Sequence, residues 1–528
     1  MKVDTRIPFG KIDRVPRLIK DFVEGKIEGF SHLIFNKKNI LPALLRKEES
    51  FSHKTRTLLC RALEKQYRGY SLDSSQEENL ELLRDAKTFT VVTGHQPNLF
   101  TGPVFFIYKI LQTIKTADHL KKRYPDYSFV PVFWMATEDH DFEEINHFWT
   151  ENHRYELGGA SGGAVGKILV QEDYFISAFE KEFQDCIYGT ELIEWMKEAY
   201  KKGNSLSEAI RKLTQRIFSR YGLLCLDGDD VLLKAEMKSV FRDEIFSCTL
   251  KKTTGNTREF IKKAYHKVQV QPREINLFYL TDTRDRIVFD GVQFSVLDKE
   301  IFFTQEEILE ILEKHPEKFS PNVLMRPVFQ ESVLPNIAYV GGNAEIMYWL
   351  ELKEYFAYLR LPFPLLIPRN SLLFLEEKTF KKIDKLHLRI SDFFGNFADI
   401  ITDILLENHP LKDEINDKKR LIRRAFEDLK TQAALTDITF RNLVEAEEKR
   451  QLKSFCKMQK RLLRAERIKQ KELVERVENL FYAVHPKKNW QERSLNFSVF
   501  YSNYGTDWLA HVYRIIDVEN SELAVVEI

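Results

Sequence analysis

Cysteine is scarce and scattered in this chain. Cys60, Cys186, Cys225, Cys248 and Cys456 are odd in number, far apart and form no C-x-x-C pair, so neither a disulfide framework nor a cysteine zinc site is supported. Long apolar runs are missing as well, with none near the 18 residues a membrane-spanning helix needs. The first residues, with Lys2, Asp4, Arg6, Pro8 and Lys11, lack the apolar core of a secretion signal, and the cytoplasm is the expected location. Nor is there an excess of one charge, since 80 Lys and Arg face 79 Asp and Glu. That balance supplies no global attraction for nucleic acid or an anionic membrane, and neither is expected as a partner.

What is present is material for a large core: 43% hydrophobic residues, with 40 Phe among 528 residues. The length exceeds what one core usually serves, so an α/β domain with insertions and at least one further unit are expected.

Residues 91–147 organise the rest. Val91-Val92-Thr93 runs into Gly94-His95-Gln96-Pro97-Asn98-Leu99-Phe100-Thr101-Gly102-Pro103, a helical period follows, and Val130-Pro131-Val132-Phe133-Trp134-Met135 runs into Ala136-Thr137-Glu138-Asp139-His140-Asp141. Two short apolar runs separated by a helix read as a parallel βαβ unit. Both loops then leave the same sheet edge, where open α/β sheets bind their ligands. Thr101 or Gly102 is the expected N-cap with Pro103 at the first helical position, and the helix start there suits a carboxylate or phosphate. A simple tight turn is the other reading. In the second loop, repulsion among carboxylates suits a bound cation, an amine or a protonated His140. Plain helix capping by Asp and Glu is the alternative, as is a metal between His140 and His147, although the spacing matches no closed zinc motif.

The glycine-rich stretch from Gly158 through Ser161 to Lys167 imitates a phosphate loop, but Ser161 and Ile168 occupy positions that the motif reserves for Gly and Ser or Thr. A hairpin between Arg154–Leu157 and Lys167–Val170 is expected instead. Leu223 to Asp227 reads as a further buried strand, and residues 275–303 as an antiparallel insertion turning at Asp290-Gly291. Arg326-Pro327 with Gln330 leads to a second glycine turn, Gly341-Gly342-Asn343-Ala344-Glu345, and then to a strand ending at Arg369. Arg326 and Arg369 offer planar forks for a carboxylate or phosphate, or salt bridges to helix-end acids.

Between Pro410 and Pro486 there is neither Gly nor Pro. Ile422, Phe426, Leu429 and Ala433, then Phe455, Met458, Leu462 and Ala465, recur at heptad spacing, which predicts a coiled-coil arm, with Thr436 and Asp437 able to cap a second antiparallel helix. The basic run Lys449 to Lys471 reads as a solvated face. Four segments follow: a helical N-terminal subdomain over 1–87, a Rossmann-like parallel-sheet core over 88–375 with insertions at about 151–221 and 228–320, the arm over 376–486, and a segment over 487–528 returning to the core.

With its loops assembled, the sequence resembles the bacillithiol biosynthesis cysteine-adding enzymes. The likeness rests on Thr93 through Pro103, on Pro131 through His147, on Arg326-Pro327 with Gln330, and on Gln491-Glu492-Arg493. It implies a Rossmann-like core, a coiled coil that makes a homodimer, and an amide-forming step that joins cysteine to glucosaminyl-malate. It also implies ATP or ADP as cofactor near the C-terminal region, at Arg493 and Asn496; Mg²⁺ is supported by no motif. From the chemistry of joining a carboxylate to an amine, His95, Asp139, His140 and Asp141 are the expected catalytic residues. Gln96, Asn98, Thr101, Gly102, Glu138, Arg326, Gln330, Glu345 and Arg369 are the expected substrate contacts. The competing readings are a non-catalytic coiled-coil dimer that senses a nucleotide or thiol, and a nucleotidyl or glycosyl transferase using the same crevice.

Overall fold

A computed structural model describes residues 1–159, 162–407 and 409–528. At its centre is a five-stranded, all-parallel sheet built from β1 (Thr88–His95), β2 (Ser128–Met135), β3 (Leu224–Asp227), β4 (Asn336–Gly341) and β5 (Leu365–Pro368). The spatial order is β5-β4-β1-β2-β3. These strands are apolar almost throughout because both sheet faces are covered. On one face Ile40, Ala43 and Leu44 of the Lys37–Ser50 helix pack with Phe89, Val91, Phe129, Ile337, Val340 and Leu365.

The register of β1 on β2 sets Gly94 beside Trp134 and His95 beside Met135. Ala136 N donates to His95 O at 2.9 Å, so the two loops leave the sheet side by side. Between them runs α1 (Phe105–Arg123), with the Ser498–Ile515 helix against it and Tyr108 facing Trp508. Three more helices matter for the site: α2 (Phe142–Ile145), α3 (Arg326–Val333) and α4 (Asn343–Glu351).

The insertion after β3 carries the expected antiparallel sheet, in the order Phe302–Phe303, Phe294–Val296, Arg284–Phe289, Leu277–Leu280, Phe319–Pro321. Its turn is held by Asp290, whose carboxylate accepts from the Val292 and Gln293 amides.

The N-terminal segment is mainly helical as expected and adds one strand, Lys2–Pro8, antiparallel to Glu522–Glu527. Two local expectations are corrected. The strand Arg154–Glu156 pairs with His147–Trp149 rather than with Lys167–Val170, because Val170 and Leu206 exchange backbone bonds with Asn204 and Ile168 instead. Ser161 of the glycine-rich loop lies outside the described residues. Thr101 and Gly102 do not cap α1, which begins at Phe105; Phe100 and Thr101 take positive φ values of 45° and 68° and close a separate 3-10 turn.

The chain divides into two compact units, residues 1–11, 15–374 and 489–527 in one, and 12–14, 375–488 and 528 in the other. In the second, Pro410–Ala433 and Ile438–Lys469 form an antiparallel helical hairpin. Lys419 Nζ donates to Gln459 Oε1 at 3.1 Å, Lys430 pairs with Glu448, and Asp437 caps the second helix by accepting from Thr439 N and Phe440 N. Among the described residues no helix is long and apolar enough to cross a membrane.

Candidate functional site

The carboxyl ends of β1, β2 and β4 open into a cavity of about 380 Å³. Its wall carries His95 and Gln96 from the first loop, Asp139 and Glu144 from the second, Arg326 and Gln330 from α3, Glu345 and Tyr348 from α4, and Lys109 from α1. Trp134, Tyr339 and Trp349 supply flat apolar surface. A polar-lined recess of this size, at the strand ends of an α/β sheet, has the character of a small-molecule site.

Asp139 is the hub of one side. Its Oδ2 accepts from Gln96 Nε2 at 3.1 Å and Arg326 Nη2 at 3.0 Å, and its Oδ1 from the His140 amide at 2.9 Å and Arg284 Nη1 at 3.3 Å. Burial alone would raise its pKa, but Arg326, His140 and Arg284 outweigh burial and hold it well below the ordinary carboxylate range. A carboxylate so committed is an anchor for cations, not a proton acceptor.

Glu345 is the hub of the other side. Lys109 Nζ lies 2.9 Å from both of its oxygens and also donates to Gly94 O at 2.6 Å. Tyr339 Oη donates to Glu345 at 2.6 Å, and the Gly342 amide at 3.0 Å. Burial acts to raise Glu345, yet Lys109 and Tyr339 hold it below its ordinary value. Lys109 is thereby locked across the loop that carries His95.

His95 stacks on Phe105 with ring centroids 5.4 Å apart. Burial and the nearby Lys109 charge lower its pKa to about 3, so the ring is neutral near pH 7 and serves as a hydrogen-bonding group rather than a strong base.

A family model described as the bacillithiol biosynthesis BshC N-terminal Rossmann-like domain matches residues 6–370, and one for the BshC C-terminal coiled-coil domain matches residues 372–528. The chain belongs to the bacillithiol biosynthesis BshC family. A Flavobacterium johnsoniae relative is 38% identical over 93% of each chain, one from Christiangramia forsetii 37% over 96% of each, and one from Flavobacterium psychrophilum 36% over 95% of each. All three carry the name "Putative cysteine ligase BshC".

In this BshC chain the cavity gathers six of the residues singled out from sequence: His95, Gln96, Asp139, Arg326, Gln330 and Glu345. The others have different placements. Glu138 turns away from the cavity to Lys234 at 2.9 Å, an ion pair buried on both sides. His140 Nδ1 lies 2.8 Å from Arg284 Nη1 and its ring faces Phe278. Asp141 is an N-cap, accepting from the Glu144 amide that opens α2.

Asn98 and Thr101 are buried in the turn, and the Asn98 side chain lies against Gly102, where a Cβ would come within 2.9 Å. Asn496 is a clamp rather than a cofactor contact: its Nδ2 donates to Phe100 O at 2.8 Å and also to Gly102 O. Arg369 closes a buried two-pronged pair with Glu492 at 2.7 Å on each prong, which is the salt-bridge reading. Arg493 stands exposed over the Phe105 ring, 5.7 Å from its centroid, with no ion pair among the described residues.

Lys109, Glu144 and Arg284 were not picked out as site residues. Lys109 sits on a helix whose spacing looks amphipathic, and Arg284 meets Asp139 across 145 positions. Among the described residues no group of three or more His, Cys, Asp or Glu side chains could hold a metal.

Proposed function

We propose that this BshC chain is a cysteine ligase of bacillithiol biosynthesis that forms an amide between the carboxyl of cysteine and the amino group of glucosaminyl-malate in the cavity at the β1 and β2 strand ends. The observation that carries the reading is the shared cavity: the His95 turn and the Asp139 loop open into one recess, with two cations on its wall. Arg326, oriented by Asp139, and Lys109, held by Glu345, stand as two cationic side chains on that wall. Such fixed charge stabilises the negative oxygen that develops when an amine adds to an acyl carbon. Neutral His95 offers a hydrogen bond to the same region.

The acyl group needs activation, and ATP is the expected activator. Its phosphates find no cradle at either glycine turn. At the first, the Phe100 amide takes Tyr200 Oη at 2.6 Å and the Val104 amide takes Leu495 O at 2.7 Å. At the second, the Glu345 carboxylate already caps the helix start and would repel a phosphate. Arg493 is the guanidinium left open to an anion beside Phe105. The test is direct: purified protein with cysteine, glucosaminyl-malate and ATP yields the amide by mass spectrometry, and deletion of the gene removes the corresponding thiol from cells. Protein that binds ATP or ADP without consuming it in the presence of both substrates, in cells that keep their thiol, overturns the reading in favour of a sensor or scaffold.

A further inference from the structure

The glycine-rich stretch that imitates a phosphate loop has a different task in the fold. Residues 162–167 stand outside the cavity wall but hold two segments that reach it. At one end the Val165 amide donates to Asp139 O at 2.7 Å and the Gly166 amide to Thr137 O at 2.8 Å. At the other, Gly162 O accepts from the Arg284 amide at 2.7 Å. Lys167 adds an ion pair to Asp229 at 3.0 Å, and Asp229 shares the buried Lys234 with Glu138. This short segment thus joins the loop that carries Asp139 to the first residue of the Arg284–Phe289 strand.

Two of its glycines are required by what they touch. A Cβ at Gly166 would come within 2.5 Å of Thr137 Cβ, and one at Gly163 within 2.5 Å of Asp282 O. Neither obstacle is the free end of a side chain, so a methyl group there displaces backbone: the Asp139 loop in the first case, the approach to Arg284 in the second. Gly158, in the same stretch, would meet nothing nearer than 3.8 Å. What the two glycines fix bears on the site, because Arg284 Nη1 lies 3.3 Å from Asp139 Oδ1 and Asp139 Oδ2 in turn takes Arg326 Nη2 at 3.0 Å. The rest of the Arg284 guanidinium is seated in the insertion sheet, with Nε on Ser320 Oγ at 2.9 Å, Nη2 on Pro321 O at 2.8 Å and the Phe278 ring beneath it. Its alignment on Asp139 therefore depends on how that sheet is tied to the loop.

We propose that Gly163 and Gly166 are positioning residues: through them residues 162–167 clasp the insertion sheet to the Asp139 loop, aligning Arg284 with Asp139 and hence Arg326 on the cavity wall. The clasp serves the site of the ligase reading, and only its turnover assay rests on that reading.

The experiment is hydrogen–deuterium exchange of the full-length protein, resolved to single amides, in wild type, Gly166→Ala and Gly158→Ala. Gly166→Ala is expected to speed exchange of the Arg284 amide, at the opposite end of the clasp, by roughly tenfold or more, while Val91, Val92 and Thr93 in the central sheet keep their wild-type rates. Gly158→Ala is expected to match wild type throughout. Gly163→Ala, read at the Val165 and Gly166 amides, tests the same coupling from the other end. In amide formation Gly166→Ala is expected to lower kcat/KM on the order of tenfold or more, as a small misplacement of a positioning group does. It should add little in an Asp139→Asn background, since both changes act through one carboxylate. An Arg284 amide as slow in Gly166→Ala as in wild type overturns the clasp. Faster exchange in the central sheet as well, or a loss of turnover of equal size with and without Asp139→Asn, makes the glycines general determinants of folding and overturns the positioning role. A wild type that forms no amide overturns the ligase reading instead, and exchange alone then decides the clasp.

Discussion

Two buried carboxylates of this chain are driven in opposite directions by their neighbours. Asp139 is surrounded by donors and stays ionised. Glu351, at the end of α4 and 1% exposed, accepts from the Gln269 amide at 2.8 Å but lies 3.7 Å from Arg258, and burial pushes its pKa up to about 7. A folded-state pKa above the unfolded one means that the native state holds the proton more tightly. Its contribution to stability is full below the unfolded pKa, near 4.5, and is lost as pH rises through 7. Urea unfolding at pH 5.5 and pH 8 is expected to show wild type losing on the order of 2 kcal/mol over that interval relative to Glu351→Gln. His95, neutral down to about 3 in the fold, contributes with the opposite slope below 6.5, and comparing the two proteins cancels it. Parallel pH profiles would remove Glu351 from the account. At this scale the sequence was readable where a polar residue ends an apolar strand, as with His95, Gln96, Asp139 and Glu345. It was opaque where a partner is remote: Arg284 makes Asp139 an anchor instead of a base, and only the fold brings them together.

At the scale of elements, the pairing of β1 with β2 was legible, because hydrophobic runs and a helical spacer dictate parallel neighbours. The start of α1 was not. Local chemistry favours a cap at Thr101 or Gly102, yet tertiary bonds hold Phe100 and Thr101 in left-handed conformations that cost energy in isolation. Asn496 is the chief restraint, bonding Phe100 O and Gly102 O while its own Oδ1 accepts from Ser498 N at 3.0 Å. Asn496→Ala strands two buried carbonyls and is expected to cost about 2–4 kcal/mol in urea unfolding. Because the freed turn follows His95 in the same loop, the KM for the amino-sugar substrate should rise as well. A variant with unchanged stability and an unchanged KM would show that the turn holds its shape without the clamp.

At the scale of the whole molecule, the heptad spacing was legible as an antiparallel helical hairpin, but its apolar residues are only partly used within one chain. Leu421 is 56% exposed, Leu429 52%, Leu443 60% and Met458 43%. Exposed leucines recurring along a helical hairpin are the pattern that a second helical surface covers. We propose that a second copy of the chain covers them and that the protein is a homodimer through residues 410–469. Light scattering on the purified protein at micromolar concentration is then expected to give about twice the 62.4 kDa chain mass. Replacing Leu421 and Leu443 by Glu places charge on that surface while leaving the buried Ala433 and Val444 in place. The double variant is expected to elute as a monomer with its helical content intact by circular dichroism, since both positions face solvent within the chain. A wild type that remains a single chain, or a double variant that remains a pair, would mean that these leucines are not where the copies meet.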